Sequence, residues 1–240
     1  MIPARFSSSR LPGKPLIDIN GKPMIYWTYK RVSNVQGIDE LVVATDDVRI
    51  MDVCKENDIR AVLTRNHETH INRIHEVSEK LESDLYLVVC GDEPLIEPES
   101  VSKMIPSNVP KDEYYVSSSM RKIMSPSELI DPGNIKIQIN QENECIMMSR
   151  SPIPFPYKTV IFDYLKLVGV ECYNKKALDF FVSKDKGIIE RIEDITLLRF
   201  LENGVRPKMT MLSTSSLSVD TEKDLEKVKE IMKINCCNQK

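Results

Sequence analysis

The feature that most constrains this chain is a repeated order: a short apolar run, a polar turn, then a stretch with helical spacing. Glu40 to Thr45 reads E-L-V-V-A-T and ends in Asp46-Asp47. Ile59 to Leu63 and Asp84 to Val89 (D-L-Y-L-V-V) are two more such runs. Between them, Met24 to Val32, Val48 to Asn57 and Asn72 to Leu81 carry apolar residues at helical intervals. Short apolar runs without alternation suit strands buried on both faces, and parallel strands need helical crossovers. The order therefore predicts an α/β chain: a Rossmann-like, mostly parallel, doubly wound sheet with helices on both faces. In such sheets ligands bind beyond the carboxyl ends of the strands, where Arg5, Asp46 and Asp92 would sit.

The pattern changes after about Tyr114. Tyr115 to Met120, Asn134 to Asn140, Cys145 to Ser149 and Leu165 to Tyr173 read as strands, several with period-two alternation. This section, about 114–193, is expected to be a smaller mixed-sheet subdomain inserted in a single domain spanning 1–240. Pro152, Pro154 and Pro156 make a stiff connector within it. Helices are expected again at Lys175 to Val182 and Ile195 to Glu202, the second stopped by Asn203-Gly204. A strand near Lys208 to Leu212 follows, and Thr221 with Asp224 forms a capping box for a last helix. At the other end, only Met1 and Ile2 precede Pro3, whereas a buried strand needs about five residues. Either the natural chain starts further upstream or the first strand is short.

Composition narrows the class. Among 240 residues 29% are charged, with a net charge of -3, so a general nucleic-acid binder is disfavoured. No apolar run approaches the ~18 residues of a membrane span, and no signal peptide follows Arg5 and Arg10. The six cysteines form no C-x-x-C pair, which fits reduced thiols in a cytoplasmic protein.

Against this acidic background the first fifteen residues stand out: M-I-P-A-R-F-S-S-S-R-L-P-G-K-P. Arg5, Arg10 and Lys14 fall in a ten-residue loop with three serines and a glycine. Arginine forks, a lysine point charge, hydroxyls and backbone N–H groups together suit a polyphosphate. The loop is neither a Walker loop nor G-x-G-x-x-G. A solvated basic loop has the same composition. Two carboxylates weigh against that reading: Asp92 in G-D-E-P at the end of a strand, and Asp220 in S-V-D-T before the last helix. Alone, Asp92 reads as a turn residue and Asp220 as a helix flank. Together with the basic loop they supply what a triphosphate with Mg²⁺ requires, since that ion usually takes one or two protein carboxylates.

These residues resemble the 3-deoxy-manno-octulosonate (KDO) cytidylyltransferases and their relatives that activate other acidic sugars. The resemblance rests on I-P-A-R-F-S-S-S-R-L-P-G-K-P-L with G-K-P-M-I, V-A-T-D-D, G-D-E-P and V-D-T-E-K-D-L-E. D-P-G-N-I-K and M-S-R-S-P-I-P add weaker matches, and the order is collinear over essentially the whole chain. It implies the nucleotidyltransferase fold, transfer of CMP from CTP to an acidic acceptor with release of pyrophosphate, and a place in lipopolysaccharide or capsule synthesis. It further implies a homodimer. By the same resemblance Ala4, Arg5, Ser8, Arg10, Lys14 and Arg73 bind the nucleotide, and Lys14, Asp92 and Asp220 serve catalysis. Asp92 and Asp220 would hold Mg²⁺, and Arg150 would face the acceptor's carboxylate.

The departures from the family pattern fall in one segment beside the nucleotide, where bulkier residues replace small ones, and in three segments on the acceptor side. The family's S-G-T-E-R is here Thr69-His70-Ile71-Asn72-Arg73, and the glutamine of Q-G-D-E-P is Cys90. In the segment H-L-G-I-Y-G-Y the histidine becomes Leu167 and a tyrosine becomes Glu171. The polar pair before L-R is Thr196-Leu197. Positions expected to bond sugar hydroxyls thus change while the triphosphate positions stay, which predicts an acceptor other than KDO: another ulosonic acid, or a phosphonate or phosphate acid. A relative that binds nucleotide without turnover is the alternative. His67, His70 and His75 could share a metal, but lack a familiar zinc spacing, and a surface loop is the preferred reading. Tyr26, Trp27 and Tyr29 read as helix packing, Tyr114-Tyr115 as strand core or dimer contact, and Cys236-Cys237 as exposed thiols.

Overall fold

The computed structural model describes residues 1–7, 11–159, 163–213 and 216–237, with side chains through 234. In chain order the strands are β1 (Ile2–Ala4), β2 (Asp18–Ile19), β3 (Lys22–Pro23), β4 (Val43–Thr45), β5 (Ala61–Leu63) and β6 (Tyr86–Val89). Then come β7 (Val116–Lys122), β8 (Lys136–Ile139), β9 (Cys145–Ser149), β10 (Leu165–Tyr173) and β11 (Lys208–Met211). The helices are α1 (Met24–Val32), α2 (Val48–Glu56), α3 (His70–Ser78), α4 (Pro98–Ser102), α5 (Pro126–Ile130), α6 (Lys175–Val182), α7 (Ile188–Glu193), α8 (Leu198–Glu202) and α9 (Glu222–Cys237).

The parallel half of the sheet is β1-β4-β5, as the apolar runs predict. Its edge carries on through β6: the Val89 N–H donates to the Met1 carbonyl at 2.9–3.0 Å geometry typical of a ladder, here 3.0 Å. The other half is mixed. β6 pairs antiparallel with β10, β10 with β7, and β7 parallel with β11. The 114–193 section therefore does more than form an appendage. It supplies β7 and β10 to the central sheet, while the β8–β9 hairpin extends from β10.

Two apolar layers cover the sheet. Ile2, Val43, Val89, Val170 and Cys172 pack with Ile25 of α1 and Ile50 of α2 on one face. Val88, Met120 and Tyr173 pack with Ile74 of α3, Phe181 of α6 and Phe200 of α8 on the other. Each such side chain, once buried, contributes roughly 1.5–3 kcal/mol. A third cluster joins α9 to the front of the chain: Val228 and Met232 meet Leu11, Ile19 and Met24. Its N-terminus is the expected capping box, with Thr221 N–H donating to Asp224 Oδ2 at 2.9 Å and Asp224 N–H to Thr221 Oγ1 at 3.3 Å.

The differences from the sequence reading have local causes. α3 begins at His70, two residues early, because Thr69 caps it by accepting from Asn72 N–H. The helices α4, α5 and α7 are only five or six residues long, too short to show a period. β8 opens with the fully buried Lys136, whose ammonium donates to the carbonyls of Asp131, Asn134 and Arg150. A lysine there reads as surface until its three acceptors are known. Trp27 is packed as expected, its indole N–H donating to the Ile19 carbonyl at 2.8 Å.

Candidate active site

The site lies at the carboxyl edge of the parallel strands. The register pairs Ala4 with Thr45 and Thr45 with Leu63, so Arg5, Asp46 and Thr64 follow three strand ends side by side. The basic loop leaves β1 and closes on itself where Gly13 N–H donates to the Phe6 carbonyl at 2.9 Å. Gly13 has φ 69°, and a Cβ there would lie 3.2 Å from the Phe6 ring, so both backbone and space call for glycine. The chain then turns to present Lys14.

Two further junctions bring the carboxylates in. The Thr28 hydroxyl of α1 donates to the Gly91 carbonyl at 3.1 Å, fixing the turn after β6. The Val219 N–H donates to the Asp92 carbonyl at 2.9 Å, which sets Asp220 beside Asp92 although 128 positions separate them in sequence. Lys14 Nζ lies 2.5 Å from Asp92 Oδ2 and 3.2 Å from Asp220 Oδ1, and donates to the Val219 carbonyl at 3.0 Å. Burial works against the ammonium's charge, but the two carboxylates outweigh it and raise Lys14 above its ordinary value. The two aspartates thus already hold one cation between hard oxygen donors.

Arg73 is buried behind the parallel edge. Its guanidinium donates to Thr64 Oγ1 at 2.7 Å and sits 3.1 Å from Asp46 Oδ1. Burial lowers its basicity, and Asp46 restores part of it. Arg5, exposed, lies close enough to act electrostatically on both Arg73 and His70.

The other wall of the site is acidic and comes from the turn after β6 and from β10. Cys90 N–H donates to the Gly169 carbonyl at 2.8 Å. A Cβ at Gly169 would lie 2.9 Å from Cys90 Cβ and 3.3 Å from Glu93 Oε1, so this close approach requires glycine. Burial, then the neighbouring Asp92 and Glu171, push the Cys90 thiol well up. Buried Glu93 accepts from the Ser216 hydroxyl at 2.7 Å; burial and Asp92 push its carboxyl up to about 7. Buried Glu171 accepts from Tyr173 OH at 2.6 Å and lies 2.7 Å from His70 Nε2. Burial alone would raise Glu171, yet the His70 charge and both hydrogen bonds lower it.

The sequence-predicted residues thus divide. Lys14, Asp92 and Asp220 form one cluster; Ala4 is buried at the end of β1, next to Arg5; Cys90 and Glu171 share the acidic wall. Ser8 and Arg10 lie outside the described residues. Leu167 packs against the core layer under α3 and α6, and the Thr196 carbonyl accepts from Arg199 N–H at the start of α8. Arg150 donates to the carbonyls of Glu193, Pro132 and Asp194 at 2.6, 2.8 and 3.0 Å. These bonds use three of the five guanidinium N–H groups. The three histidines do not converge: His67 meets Glu76, His70 meets Glu171, and His75 meets Asp179. His75, Glu79 and Asp179 cluster, but the Lys175 ammonium already bonds both carboxylates. The His70–Glu171 pair was not foreseen. Its signal was present, because both residues depart from the family pattern in separate segments.

Comparison with known proteins places the sequence and the fold. The family model described as cytidylyltransferase matches residues 1–231. The 3-deoxy-manno-octulosonate cytidylyltransferase of Escherichia coli is 36% identical over 233 residues, covering 97% of this chain and 94% of that protein. The enzyme of the same description from Fusobacterium nucleatum is 37% identical over 240 residues, covering 98% and 96%. Among solved structures, CMP:2-keto-3-deoxy-manno-octonic acid synthetase complexed with CTP superposes with a TM-score of 0.90 at 36% identity, covering 98% of this chain and 97% of that one. The inositol-1-phosphate CTP transferase from T. maritima, 18% identical with a TM-score of 0.67, shares the fold.

Proposed function

The chain belongs to the cytidylyltransferase family, and from that premise we propose that it transfers CMP from CTP to an acidic acceptor in a Mg²⁺-dependent reaction that releases pyrophosphate. One observation carries the reading: Lys14 Nζ is gripped by Asp92 and Asp220 at the mouth of the basic loop. A phosphate cation and two hard oxygen donors are thereby assembled from three distant segments. The donor set fits Mg²⁺, which takes one or two carboxylates and keeps several waters. When bound there, Mg²⁺ supplies charge neutralisation at the phosphates.

The chain's own residues do the rest. CTP entering the loop competes for Lys14, which leaves the carboxylates and binds phosphate oxygens with Arg5. The acceptor hydroxyl, seated on the β10 side, attacks the α-phosphorus as the bond to the β-phosphate breaks; its proton passes to water and the bonding pair leaves with pyrophosphate. Arg5 and Lys14 offset charge on the departing pyrophosphate, which is where fixed cations contribute most. For the acceptor, we propose a sugar acid or related small acid distinct from KDO. Support comes from Cys90 and Glu171, which put a thiol and a buried carboxylate where the family pattern has an amide and a phenol.

The test is pyrophosphate release from CTP and Mg²⁺ against KDO, sialic-type acids, phosphonates and phosphorylated small acids. Release with any of them that disappears in Asp92→Asn or Asp220→Asn supports the reading. Near-normal release in either variant refutes the metal role, and efficient use of KDO refutes the altered acceptor. Tight CTP binding with no release across the panel favours a relative that has lost catalysis.

A further inference from the structure

The acceptor wall poses an electrostatic difficulty. Asp92, Glu93, Glu171 and Asp220 all contribute acidic groups to this end of the sheet, and an acidic acceptor entering there needs a positive partner. Arg150 has its guanidinium on three backbone carbonyls. Lys166 donates to Asn134 Oδ1 at 2.7 Å and lies 2.5 Å from Glu128. Lys14 belongs to the aspartates and the phosphates. Arg5 reaches His70 electrostatically from the loop after β1, and Arg150 keeps its charge; the cation that a buried carboxylate of the acceptor wall itself holds in place is His70.

We infer that His70, clamped by Glu171, is the acceptor-reading residue of this chain: its Nε2 is held by the buried carboxylate, and its Nδ1 edge binds the acceptor's anionic group. This rests on the cytidylyltransferase reading above and names how that site selects an acid. The geometry supports each half. Glu171 is buried, at 4% exposure, and its Oε2 takes both Tyr173 OH and His70 Nε2, so the imidazole has a fixed anchor. The His70 side chain keeps 27% of its surface accessible, so a ligand can reach it. When Nε2–H donates to the carboxylate, the tautomer is set, and protonation places a second N–H on Nδ1.

The surrounding charges favour that protonated form. Burial opposes it, but Glu171 on β10 more than offsets burial and raises His70 above its ordinary value. Arg5, from the loop after β1, works against the charge, and Asp92, from the turn after β6, works for it. The sign follows: the imidazolium is present at low pH and is lost as pH rises through its raised value, so acid binding weakens in that direction.

The experiment is steady-state pyrophosphate release with CTP and Mg²⁺, using KDO and N-acetylneuraminate as probe acids. It compares wild type, His70→Gln and Glu171→Gln. A charge-assisted hydrogen bond predicts that KM for the acid rises about 10- to 100-fold in His70→Gln. KM for CTP and kcat stay within a few-fold, which a merely structural defect would not achieve. Glu171→Gln keeps a partner for Nε2 but removes the charge, so its acid KM rises at lower pH than in wild type. The pH dependence of acid KM disappears in His70→Gln. An unchanged acid KM in that variant overturns the inference, as does a parallel rise in KM for CTP.

Absence of release with both acids would count against the transfer reading for them, and a binding readout then decides His70 separately. The chain has three histidines, so imidazole ¹⁵N resonances are assigned with His67→Gln and His75→Gln. KDO or N-acetylneuraminate added to the CTP-loaded protein without Mg²⁺ should shift the His70 Nδ1 resonance. No shift with either acid overturns the inference.

Discussion

Replacing Lys14 with alanine should both destabilise the protein without ligand and make it respond more strongly to Mg²⁺. The ammonium lies 2.5 Å from Asp92 and 3.2 Å from Asp220, with 16% of its own side chain exposed and 23% and 31% of theirs. Breaking a fully buried pair costs about 3–5 kcal/mol because the remaining charge is stranded. Here the aspartates are partly hydrated, and discounting for that leaves about 1–2 kcal/mol. For a chain of this size 1 kcal/mol moves Tm by about 2–4 °C, so Lys14→Ala should unfold about 2–8 °C lower in EDTA. Magnesium then has two carboxylates with no competing ammonium, so its stabilising increment should exceed that in wild type. Pyrophosphate release should fall by about 10²-fold or more, the usual loss when a fixed cation at developing phosphate charge is removed. The assay is thermal unfolding followed by circular dichroism in EDTA and in a Mg²⁺ series, beside the release assay. An unchanged Tm in EDTA together with an unchanged Mg²⁺ increment would refute the shared cation site.

Three other perturbations probe different parts of the same frame. Gly169→Ala puts a Cβ 2.9 Å from Cys90 Cβ, and forcing the strands apart should cost about 1–3 kcal/mol and impair acceptor use more than CTP binding. Glu93, pushed up to about 7 by burial and Asp92, favours the fold when protonated; that contribution is complete below its unfolded value and lost as pH rises through about 7. Glu93→Gln should therefore raise Tm relative to wild type at pH 8 but not at pH 5, and an equal effect at both would contradict the assignment. Arg199→Ala strands the buried Glu190, to which it donates at 2.8 and 2.7 Å, and should cost about 3–5 kcal/mol in denaturant melts. A loss below 1 kcal/mol would show that Glu190 finds water or another donor.

The sequence alone determined the periodic and local features. Val43–Thr45 and Tyr86–Val89 are buried on both sides because the sheet is covered on both faces, so their strand character is written in composition. The capping box at Thr221 and Asp224 and the glycine at position 13 are legible because each is set by neighbours within a few positions. The basic loop and the two aspartates were readable as chemistry from residue types and motif likeness. What only the tertiary structure decided depends on distant segments meeting. The Val219 to Asp92 hydrogen bond brings Asp220 to Lys14, and no local pattern encodes it. The role of β10 as the strand between β6 and β7 is likewise a matter of pairing, since one edge of a strand looks like the other in sequence. Lys136 and Arg150 read as solvent-facing or ligand-facing cations because charge normally seeks water. Carbonyls gathered by the fold satisfy Lys136 inside and anchor the half-buried Arg150 beside α7. His70 and Glu171 stand 101 positions apart, and only the close approach of α3 to β10 turns two isolated departures into one clamped pair.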